Sequence, residues 1–357
     1  MLLQERIESF IRLGHVLRDF CNRENGKDSN PATSHKLMDS LRQAAANAQL
    51  ENPWFTKENI LFAMQSIALN LNRDDLESWL KPYLTDLEKN SDARTVAVIM
   101  AGNIPMVGFH DFLCVLMSGN RFLGKLSSDD KLLLPAMTGI LIEFNPGWDA
   151  YISFTQDPIR SFDAVIATGS NSSSGYFEYY FSRYPHIIRK NRNSIAILTG
   201  KESAKELSSL AMDIFLYFGL GCRSVSKVYV PENYDFSLLA EAFTGYCHLL
   251  DHNKYRNNYD YFKAIFQLNL VPFIDGRSIL LREDTAVSSP ISVLNYNYYN
   301  DWDELLNELF SMDESIQCII SEKEVPSRWF KPGNSQSPGL PDYADGVDTM
   351  LFLVGMK

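Results

Sequence analysis

The sequence predicts an α/β protein in which a parallel β-sheet follows an N-terminal helical segment. Up to about residue 90, apolar residues recur three and four positions apart, which is typical of amphipathic helices. After residue 94, short runs rich in Val, Ile and aromatic residues alternate with helical stretches, and this alternation favours a parallel sheet. The 357-residue chain is 45% hydrophobic and 12% aromatic, so it is long enough for two domains with a sizeable core.

The elements follow from the spacing of apolar residues and from the Asn, Pro, Gly and Asp residues between them. Helices are predicted over residues 2–22, 34–47, 56–69, 74–87, 107–117, 132–144, 175–184, 204–218, 236–250 and 302–310. Strands are predicted over residues 95–100, 121–125, 151–154, 164–168, 186–189, 194–198, 225–230, 268–273, 278–282, 291–295 and 316–320. Residues 332–345 contain many Pro, Gly and Asp residues, which predicts an irregular segment.

Composition excludes several classes of function. A net charge of -11 and a pI near 5.1 leave no broad basic face for nucleic acid. Residues 1–13 mix charged and apolar residues, unlike a secretory signal, so we expect a cytoplasmic protein. Polar residues interrupt the apolar stretch 96–116, so no membrane span is expected. Five scattered cysteines without a CxxC pair indicate neither a disulfide framework nor a metal site.

Cys222 is a candidate nucleophile. It follows Gly219-Leu220-Gly221, between the predicted helix 204–218 and the predicted strand 225–230. Glycines allow backbone conformations that other residues avoid, so the thiol could meet a substrate with little bulk around it. A nucleophilic cysteine must ionise, and Arg223 stands beside it. The alternative is that Cys222 is a small apolar residue filling a turn.

Asn103 directly follows the first predicted strand, in Ala-Gly-Asn-Ile-Pro. Ligands usually bind at the carboxyl edge of a parallel sheet. An asparagine there can donate its side-chain NH₂ to a developing oxyanion, although capping the next helix is the commoner role.

Two other strand ends carry residues suited to a nucleotide. Gly169 and Ser170 lie where a strand enters a helix, and backbone N–H groups at a helix N-terminus suit a phosphate. Lys125 closes the strand 121–125 and could hold a ribose or a phosphate, or be an ordinary surface lysine.

His110 and the basic cluster 189–192 each allow a functional and a structural interpretation. His110 could pair with Cys222, but its helical spacing favours a structural histidine. The basic cluster 189–192 is typical of a solvated loop, although it could also contact cofactor phosphates.

Taken in order, Asn103, Lys125, Gly169-Ser170 and Cys222 match one family. The chain resembles the aldehyde dehydrogenase superfamily and, within it, the acyl-CoA reductases related to the fatty-acyl reductase of bacterial bioluminescence. The resemblance covers residues 95–230, continues more loosely to 321 and resumes over 338–349. It implies a Rossmann-type cofactor domain over residues 1–193, which includes the helical segment 1–90. An α/β catalytic domain over 194–325 and a C-terminal segment over 326–357 complete the implied organisation.

The resemblance also implies roles for residues. Cys222 corresponds to the nucleophile, and the Asn103 amide, with the backbone N–H of Cys222, corresponds to the oxyanion hole. Gly169 and Ser170 correspond to the pyrophosphate site, and Lys125 corresponds to the lysine that contacts the adenosine ribose.

Three departures from the family pattern are informative. Hydrolytic members have a glutamate where this chain has Ile197, so no base for water is evident there and reduction is favoured over hydrolysis. Many NAD-dependent members have a glutamate where this chain has Ser128; with Ser127 it could donate to a 2′-phosphate, which favours NADPH. The family glutamate on the nicotinamide ribose has no counterpart in Ser288-Ser289-Pro290.

The sequence therefore predicts an NADPH-dependent enzyme that reduces an acyl-CoA or acyl-protein thioester, with a fatty acyl group favoured, to an aldehyde through an acyl-cysteine. An acyl-transferring partner protein and a homo-oligomer are also expected. One alternative is an NAD-linked acylating aldehyde dehydrogenase for short acyl groups. The other is a non-catalytic subunit that binds an acyl-transferring partner.

Overall fold

Two β-sheets, one parallel and one mixed, organise two compact units of the chain. A computed structural model describes residues 1–27, 34–89, 92–326 and 328–356. One unit comprises Met1–Lys190 with Gly339–Lys357, and the other comprises Asn191–Pro338. The predicted C-terminal segment 326–357 is thus divided between the units, and the first boundary lies three residues before the predicted one at 193.

The described residues form the following strands and helices in chain order. The strands are β1 (Thr95–Ile99), β2 (Arg121–Lys125), β3 (Ile152–Thr155), β4 (Ala164–Thr168), β5 (His186–Arg189), β6 (Asn193–Ile197), β7 (Val225–Pro231), β8 (Ile274–Asp275), β9 (Leu280–Glu283), β10 (Val293–Tyr299), β11 (Ile316–Ile320) and β12 (Trp329–Phe330). The helices are α1 (Leu3–Glu24), α2 (His35–Glu51), α3 (Lys57–Asn70), α4 (Arg73–Leu80), α5 (Leu84–Lys89), α6 (Phe109–Met117), α7 (Leu133–Phe144), α8 (Asn171–Phe181), α9 (Ala204–Phe215), α10 (Phe236–Phe243), α11 (Asn253–Leu268), α12 (Trp302–Ser311) and α13 (Thr349–Gly355).

The sheet of the first unit has five parallel strands in the order β3-β2-β1-β4-β5. Ile99 at the end of β1 pairs with Lys125 at the end of β2 and with Ala167 near the end of β4. Val, Ile and Ala residues fill the interior of β1 and β4, as expected for strands covered on both faces. The carboxyl ends of three neighbouring strands therefore lie at one edge of the sheet.

The N-terminal helices are an integral part of the first unit. Phe10 of α1 is fully buried and packs edge-on against Phe112 of α6 and Trp148. The buried Arg6 guanidinium donates to the carbonyl oxygens of Leu116 and Met117, which satisfies acceptors at the C-terminal end of α6. Removal of the helical segment would therefore expose the core of the first unit.

The end of the chain also belongs to the first unit. The Trp79 indole N–H donates to the Tyr343 hydroxyl at 2.8 Å, and the Tyr83 hydroxyl donates to Asp348 at 2.7 Å. Asp348 caps α13 by accepting from the backbone N–H of Leu351. These contacts hold residues 339–356 against the N-terminal helices.

The second unit contains a seven-stranded sheet in the order β12-β11-β6-β7-β10-β9-β8. All pairs are parallel except β8 with β9. Helices α9 and α10 pack their apolar faces, including Leu210, Ile214 and Leu239, against strand residues such as Val228 and Leu294. Because α9 connects β6 to the adjacent parallel strand β7, it returns the chain to the amino end of β7, which follows Cys222.

Several elements differ from the prediction. The strand predicted over 268–273 is wrong, because α11 continues to Leu268 and the strand β8 is only Ile274–Asp275. The predicted helix 74–87 is divided at a 3₁₀ turn, Lys81–Tyr83, whose Pro82 lacks the N–H that a continuous helix needs. Helices α11 and α13 and strand β12 were not predicted.

Across the described ranges, no helix combines the length and apolarity that a membrane crossing requires. The same residues contain no group of three or more His, Cys, Asp and Glu side chains placed to hold a metal ion.

Candidate active site

Six of the predicted site residues lie at the carboxyl edge of the five-stranded sheet. Asn103 follows β1, Lys125 ends β2, and Gly169 follows β4. Because β2, β1 and β4 are neighbours in the sheet, the loops that carry these residues and Ser127, Ser128 and Ser170 emerge side by side. Cys222 belongs to the other compact unit and is described separately.

Asn103 is an exposed loop residue and does not cap a helix. Helix α6 begins only at Phe109, and its N-cap is Gly108. The interpretation of Asn103 as the cap of this helix is therefore wrong.

The loop that carries Asn103 packs closely on the loop after β2. A Cβ atom on Gly102 would lie 2.5 Å from Ser127 Oγ and 2.7 Å from Ser127 Cβ, so any larger residue would push the two loops apart. Met106, three residues after Asn103, has a left-handed backbone with φ of 58°. That conformation is strained for a residue with a side chain, so surrounding contacts must maintain it.

Asp130 provides such a contact, and sequence analysis did not identify it. Its Oδ2 accepts a hydrogen bond from the backbone N–H of Met106 at 2.6 Å. The side chain is 8% exposed, and Oδ1 has no hydrogen-bond partner in the part of the chain that the structure describes. Burial raises the pKa of Asp130 to about 7, against the opposing effect of the Met106 hydrogen bond.

Asp130 makes stability depend on pH in a specific direction. An unfolded aspartate ionises near pH 4, whereas the folded one keeps its proton to about pH 7. The folded state therefore binds more protons between these values, and the free energy of unfolding falls as pH rises, by on the order of 4 kcal/mol across the whole range. We expect Asp130→Asn, which keeps an acceptor for Met106, to remove this contribution.

Unfolding by urea at pH 5 and pH 8 measures the effect. The free energy of unfolding should fall less from pH 5 to pH 8 in Asp130→Asn than in the wild type. Equal differences in the two proteins would show that Asp130 titrates normally.

Gly169 and Ser170 form the start of α8. The Ser170 hydroxyl accepts from the backbone N–H of Ser173 at 3.2 Å, and Ser170 itself is exposed. A Cβ atom on Gly169 would lie 2.8 Å from the Phe177 ring and 2.9 Å from Ser173 Cβ, so only glycine fits. Backbone N–H groups at the N-terminal end of a helix such as α8 suit an anionic group.

Lys125, Ser127 and Ser128 follow one another at the end of β2. Lys125 and Ser127 are partly exposed, and Ser128 is exposed. The Ser127 hydroxyl accepts from the backbone N–H of Asp129 at 3.2 Å, which fixes the turn. An ammonium and two hydroxyl groups are thus available along one loop, close to the loop of Asn103.

Cys222 lies on a turn directly before β7 in the second unit, as the sequence predicts, and is partly exposed. Of the other cysteines, Cys21, Cys114 and Cys318 are buried and Cys247 is partly exposed. Burial raises the pKa of Cys21 to about 12, that of Cys318 to about 11 and that of Cys114 well above its usual value. Those three thiols stay protonated and are poor nucleophiles at neutral pH.

The backbone before Cys222 is held in an unusual conformation. Helix α9 ends at Phe215, and Tyr217, Phe218 and Gly219 then have φ values of 53°, 57° and 76°. The left-handed region costs about 1–2 kcal/mol for each residue with a side chain. Only Gly219 adopts this conformation without that cost. The sequence does not predict a left-handed backbone at Tyr217 and Phe218.

Packing maintains this strained turn. Tyr217 and Phe218 are both buried. The Phe218 ring lies 4.6 Å from the His252 ring and 5.8 Å from the Tyr255 ring, and the Tyr255 hydroxyl donates to the carbonyl of Ser278 at 2.9 Å. The strain is therefore held by the body of the second unit and is concentrated immediately before Cys222, as is common at functional sites.

His110 is a structural histidine, as its helical spacing indicated. Its Nε2 lies 2.9 Å from the carbonyl oxygen of Leu340, and its ring packs against Trp79 and Tyr343.

The interpretation of residues 189–192 as a solvated or phosphate-binding cluster is wrong for Arg189. That side chain is buried and makes an ion pair with Asp111 at 2.5 Å and a hydrogen bond to Thr349. A buried, paired guanidinium ties β5 to α6 and α13, and it is not available to a cofactor.

Comparison with known proteins places this geometry in context. The sequence matches the family described as Acyl-CoA reductase (LuxC) over residues 33–246. No curated protein sequence matches the chain.

Solved structures with similar folds include aldehyde dehydrogenases. The aldehyde dehydrogenase KauB from Pseudomonas aeruginosa is 12% identical with a TM-score of 0.62, over 92% of this chain and 73% of its own. The indole-3-acetaldehyde dehydrogenase AldA of P. syringae, in complex with NAD+, is 12% identical with a TM-score of 0.62, over 92% and 74%. An NADP dependent enzyme from E. coli is 11% identical with a TM-score of 0.58, over 91% and 78%.

These likenesses confirm the predicted aldehyde dehydrogenase-like fold class. The family match covers more than half of the chain and also confirms the predicted enzyme class, an oxidoreductase that acts on acyl thioesters or aldehydes. The protein belongs to the Acyl-CoA reductase (LuxC) family.

Proposed function

We propose that the protein reduces fatty acyl thioesters of coenzyme A to aldehydes with NADPH, through an acyl group carried on Cys222. The observation that carries the proposal is the position of Cys222 in a member of this family. It is a partly exposed thiol on a turn whose strained backbone is held by buried packing.

The chemistry begins at the Cys222 sulfur. Its thiolate attacks the thioester carbonyl, the carbon–sulfur bond to coenzyme A breaks, and the acyl group remains on Cys222. The negative charge that develops on the carbonyl oxygen is stabilised by the Asn103 side-chain amide and the backbone N–H of Cys222. When bound, the reduced nicotinamide supplies the hydride that converts the acyl carbonyl to an aldehyde. Cys222 then leaves as the thiolate.

The carboxyl edge of the first sheet fits a dinucleotide. In this proposal the N-terminal end of α8 and the Ser170 hydroxyl hold the pyrophosphate, where Gly169 leaves no room for a side chain. Lys125 contacts the adenosine ribose from the neighbouring strand end. The fit is supported by the adjacency of β2, β1 and β4, whose loops converge at this edge.

NADPH is favoured over NADH by the residues after Lys125. Ser127 and the exposed Ser128 offer hydroxyl donors to a 2′-phosphate, where a carboxylate would repel it. The similar structures include both an NADP dependent enzyme and NAD+ complexes, so the fold itself accommodates either cofactor.

Ser128→Glu tests this cofactor assignment. The added carboxylate should repel the 2′-phosphate and raise KM for NADPH roughly 10-fold or more, which corresponds to about 1.4 kcal/mol. KM for NADH should change little. Ser128→Gln has nearly the same shape without the charge and serves as the control. Steady-state kinetics with both cofactors measures the ratio, and equal effects of Glu and Gln would contradict the assignment.

The substrate class is tested by comparing acetyl-CoA with long-chain acyl-CoAs, each with NADPH and NADH at equal concentration. The proposal predicts the highest kcat/KM for NADPH with a long acyl chain. Preference for acetyl-CoA with NADH would instead identify an NAD-linked acylating dehydrogenase for short acyl groups.

An acyl-transferring partner and a homo-oligomer remain part of the proposal. Incubation with an acylated partner protein should label Cys222 without free acyl-CoA. Light scattering should give a mass above the 40.7 kDa of one chain.

A further inference from the structure

The backbone around Cys222 is held by buried side chains from elsewhere in the second unit. The Ser194 hydroxyl, on β6, donates to the carbonyl of Cys222 at 2.9 Å. The Ser335 hydroxyl lies 3.2 Å from the carbonyl of Arg223, and the Gln336 amide lies 3.4 Å from the Ser224 hydroxyl. Three consecutive residues from the nucleophile onward are thus contacted by groups that are 6% exposed or less.

Two of these contacts come from residues 333–336, a segment without helix or strand. Side-chain contacts must therefore fix the conformation of this segment. Asp213 supplies them: its carboxylate accepts from the backbone N–H of Gly333 at 2.6 Å and of Ser335 at 3.2 Å. It also accepts from the Ser335 hydroxyl at 2.7 Å. Asp213 and Ser335 are both fully buried.

Asp213 lies at a position where its carboxylate does not stabilise its own helix. It lies in the last turn of α9, which ends at Phe215, where the helix dipole disfavours a negative charge. A buried carboxylate is also costly unless its acceptors are used. The three donors of the 333–336 segment offset these costs in part, although burial still raises the pKa of Asp213 to about 6.

We propose that Asp213, acting through Ser335, is a positioning residue for the Cys222 thiol. The inference rests on the proposed function of Cys222 for its meaning in catalysis. Asp213 binds the 333–336 segment, and the Ser335 hydroxyl and the Gln336 amide of that segment contact the Arg223 carbonyl and the Ser224 hydroxyl, directly after the nucleophile. The strained residues 217–219 lie before it, so the chain that carries the sulfur is held on both sides of Cys222.

Two variants test the inference, with a matched control and a rescue. Ser335→Ala removes the hydroxyl between Asp213 and the Arg223 carbonyl, and Asp213→Asn places an NH₂ group against backbone donors. Ser321→Ala removes another buried hydroxyl of the same unit, which accepts from the Lys323 N–H at the opposite edge of the sheet. Ser335→Thr keeps the hydroxyl and should restore most of the lost activity.

We expect Ser335→Ala and Asp213→Asn to lower kcat roughly 10- to 100-fold, the effect of a small misplacement of a reacting group. KM for NADPH should stay unchanged, because the residues proposed to bind it lie in the first unit. Ser321→Ala should behave as wild type. Wild-type kcat in a folded Ser335→Ala variant, or a loss that Ser335→Thr does not rescue, would overturn the inference.

A second measurement separates this inference from the proposed function. The rate at which iodoacetamide alkylates Cys222 without substrate, followed by peptide mapping, reports the position of the thiol and requires no turnover. A changed rate in Ser335→Ala but not in Ser321→Ala supports the positioning role even if acyl-CoA never labels Cys222. An unchanged rate in the folded variant contradicts it, whatever the enzyme reduces.

Discussion

Replacing Cys222 with alanine is expected to abolish acyl-CoA-dependent NADPH consumption, with a loss of at least about 10³-fold in kcat. No other described thiol combines partial exposure with a place on a strained turn. Alanine removes the sulfur but leaves the small side chain that a turn filler needs. The loss should therefore be of activity and not of the fold, as measured by thermal unfolding.

Cys247→Ala is the matched control for this prediction. Cys247 is the other partly exposed cysteine, in the 3₁₀ segment Thr244–Asp251. Its replacement should leave turnover at the wild-type level. If turnover survived in Cys222→Ala and disappeared in Cys247→Ala, the assignment of the acyl group to Cys222 would be wrong.

Replacing Asn103 with alanine is expected to lower kcat roughly 10²- to 10³-fold, the effect of removing one oxyanion-hole donor. KM for acyl-CoA should change little, because the amide acts on charge that develops in the transition state. Because Asn103 does not cap α6, its replacement should leave that helix intact.

Asn258→Ala is a suitable control, because Asn258 is a helix residue of α11 whose amide donates only to the carbonyl of Lys254 in the described contacts. It should not affect kcat. An unchanged kcat in Asn103→Ala would show that Asn103 does not donate to the oxyanion and is an ordinary loop residue.

The framework of strands could be predicted from the sequence because buried parallel strands are short, continuous apolar runs. β2, β4, β5 and β11 have the predicted bounds, and β1 differs from its prediction by one residue. Polar or small residues end such runs, and several of those residues belong to the proposed site. The same feature thus predicted both the strands and the loops that carry Asn103, Lys125 and Gly169.

Helix α11 was not predicted because its sequence is rich in Asn and Tyr, which are weak helix formers. Its buried residues Tyr255, Tyr259 and Phe266, with the partly buried Phe262, nevertheless follow helical spacing. Tertiary packing of that aromatic face outweighs the local propensity. Attention to aromatic spacing would have found the helix and removed the strand predicted over 268–273.

The supporting residues of the site could not be predicted, because they act over long sequence separations. Asp130 contacts Met106 across 24 positions, and Asp213 contacts Ser335 across 122. Nothing in the local sequence of either aspartate indicates these partners. The left-handed conformations of Tyr217 and Phe218 were equally hidden, since they depend on packing against Tyr255 and His252.

The mass of the intact protein after exposure to a long-chain acyl-CoA without NADPH tests the central claim most directly. We predict one added acyl group, mapped to Cys222, which disappears with release of aldehyde when NADPH is added. An acyl group on another residue, or aldehyde formation from a protein that never gains mass, would contradict the account.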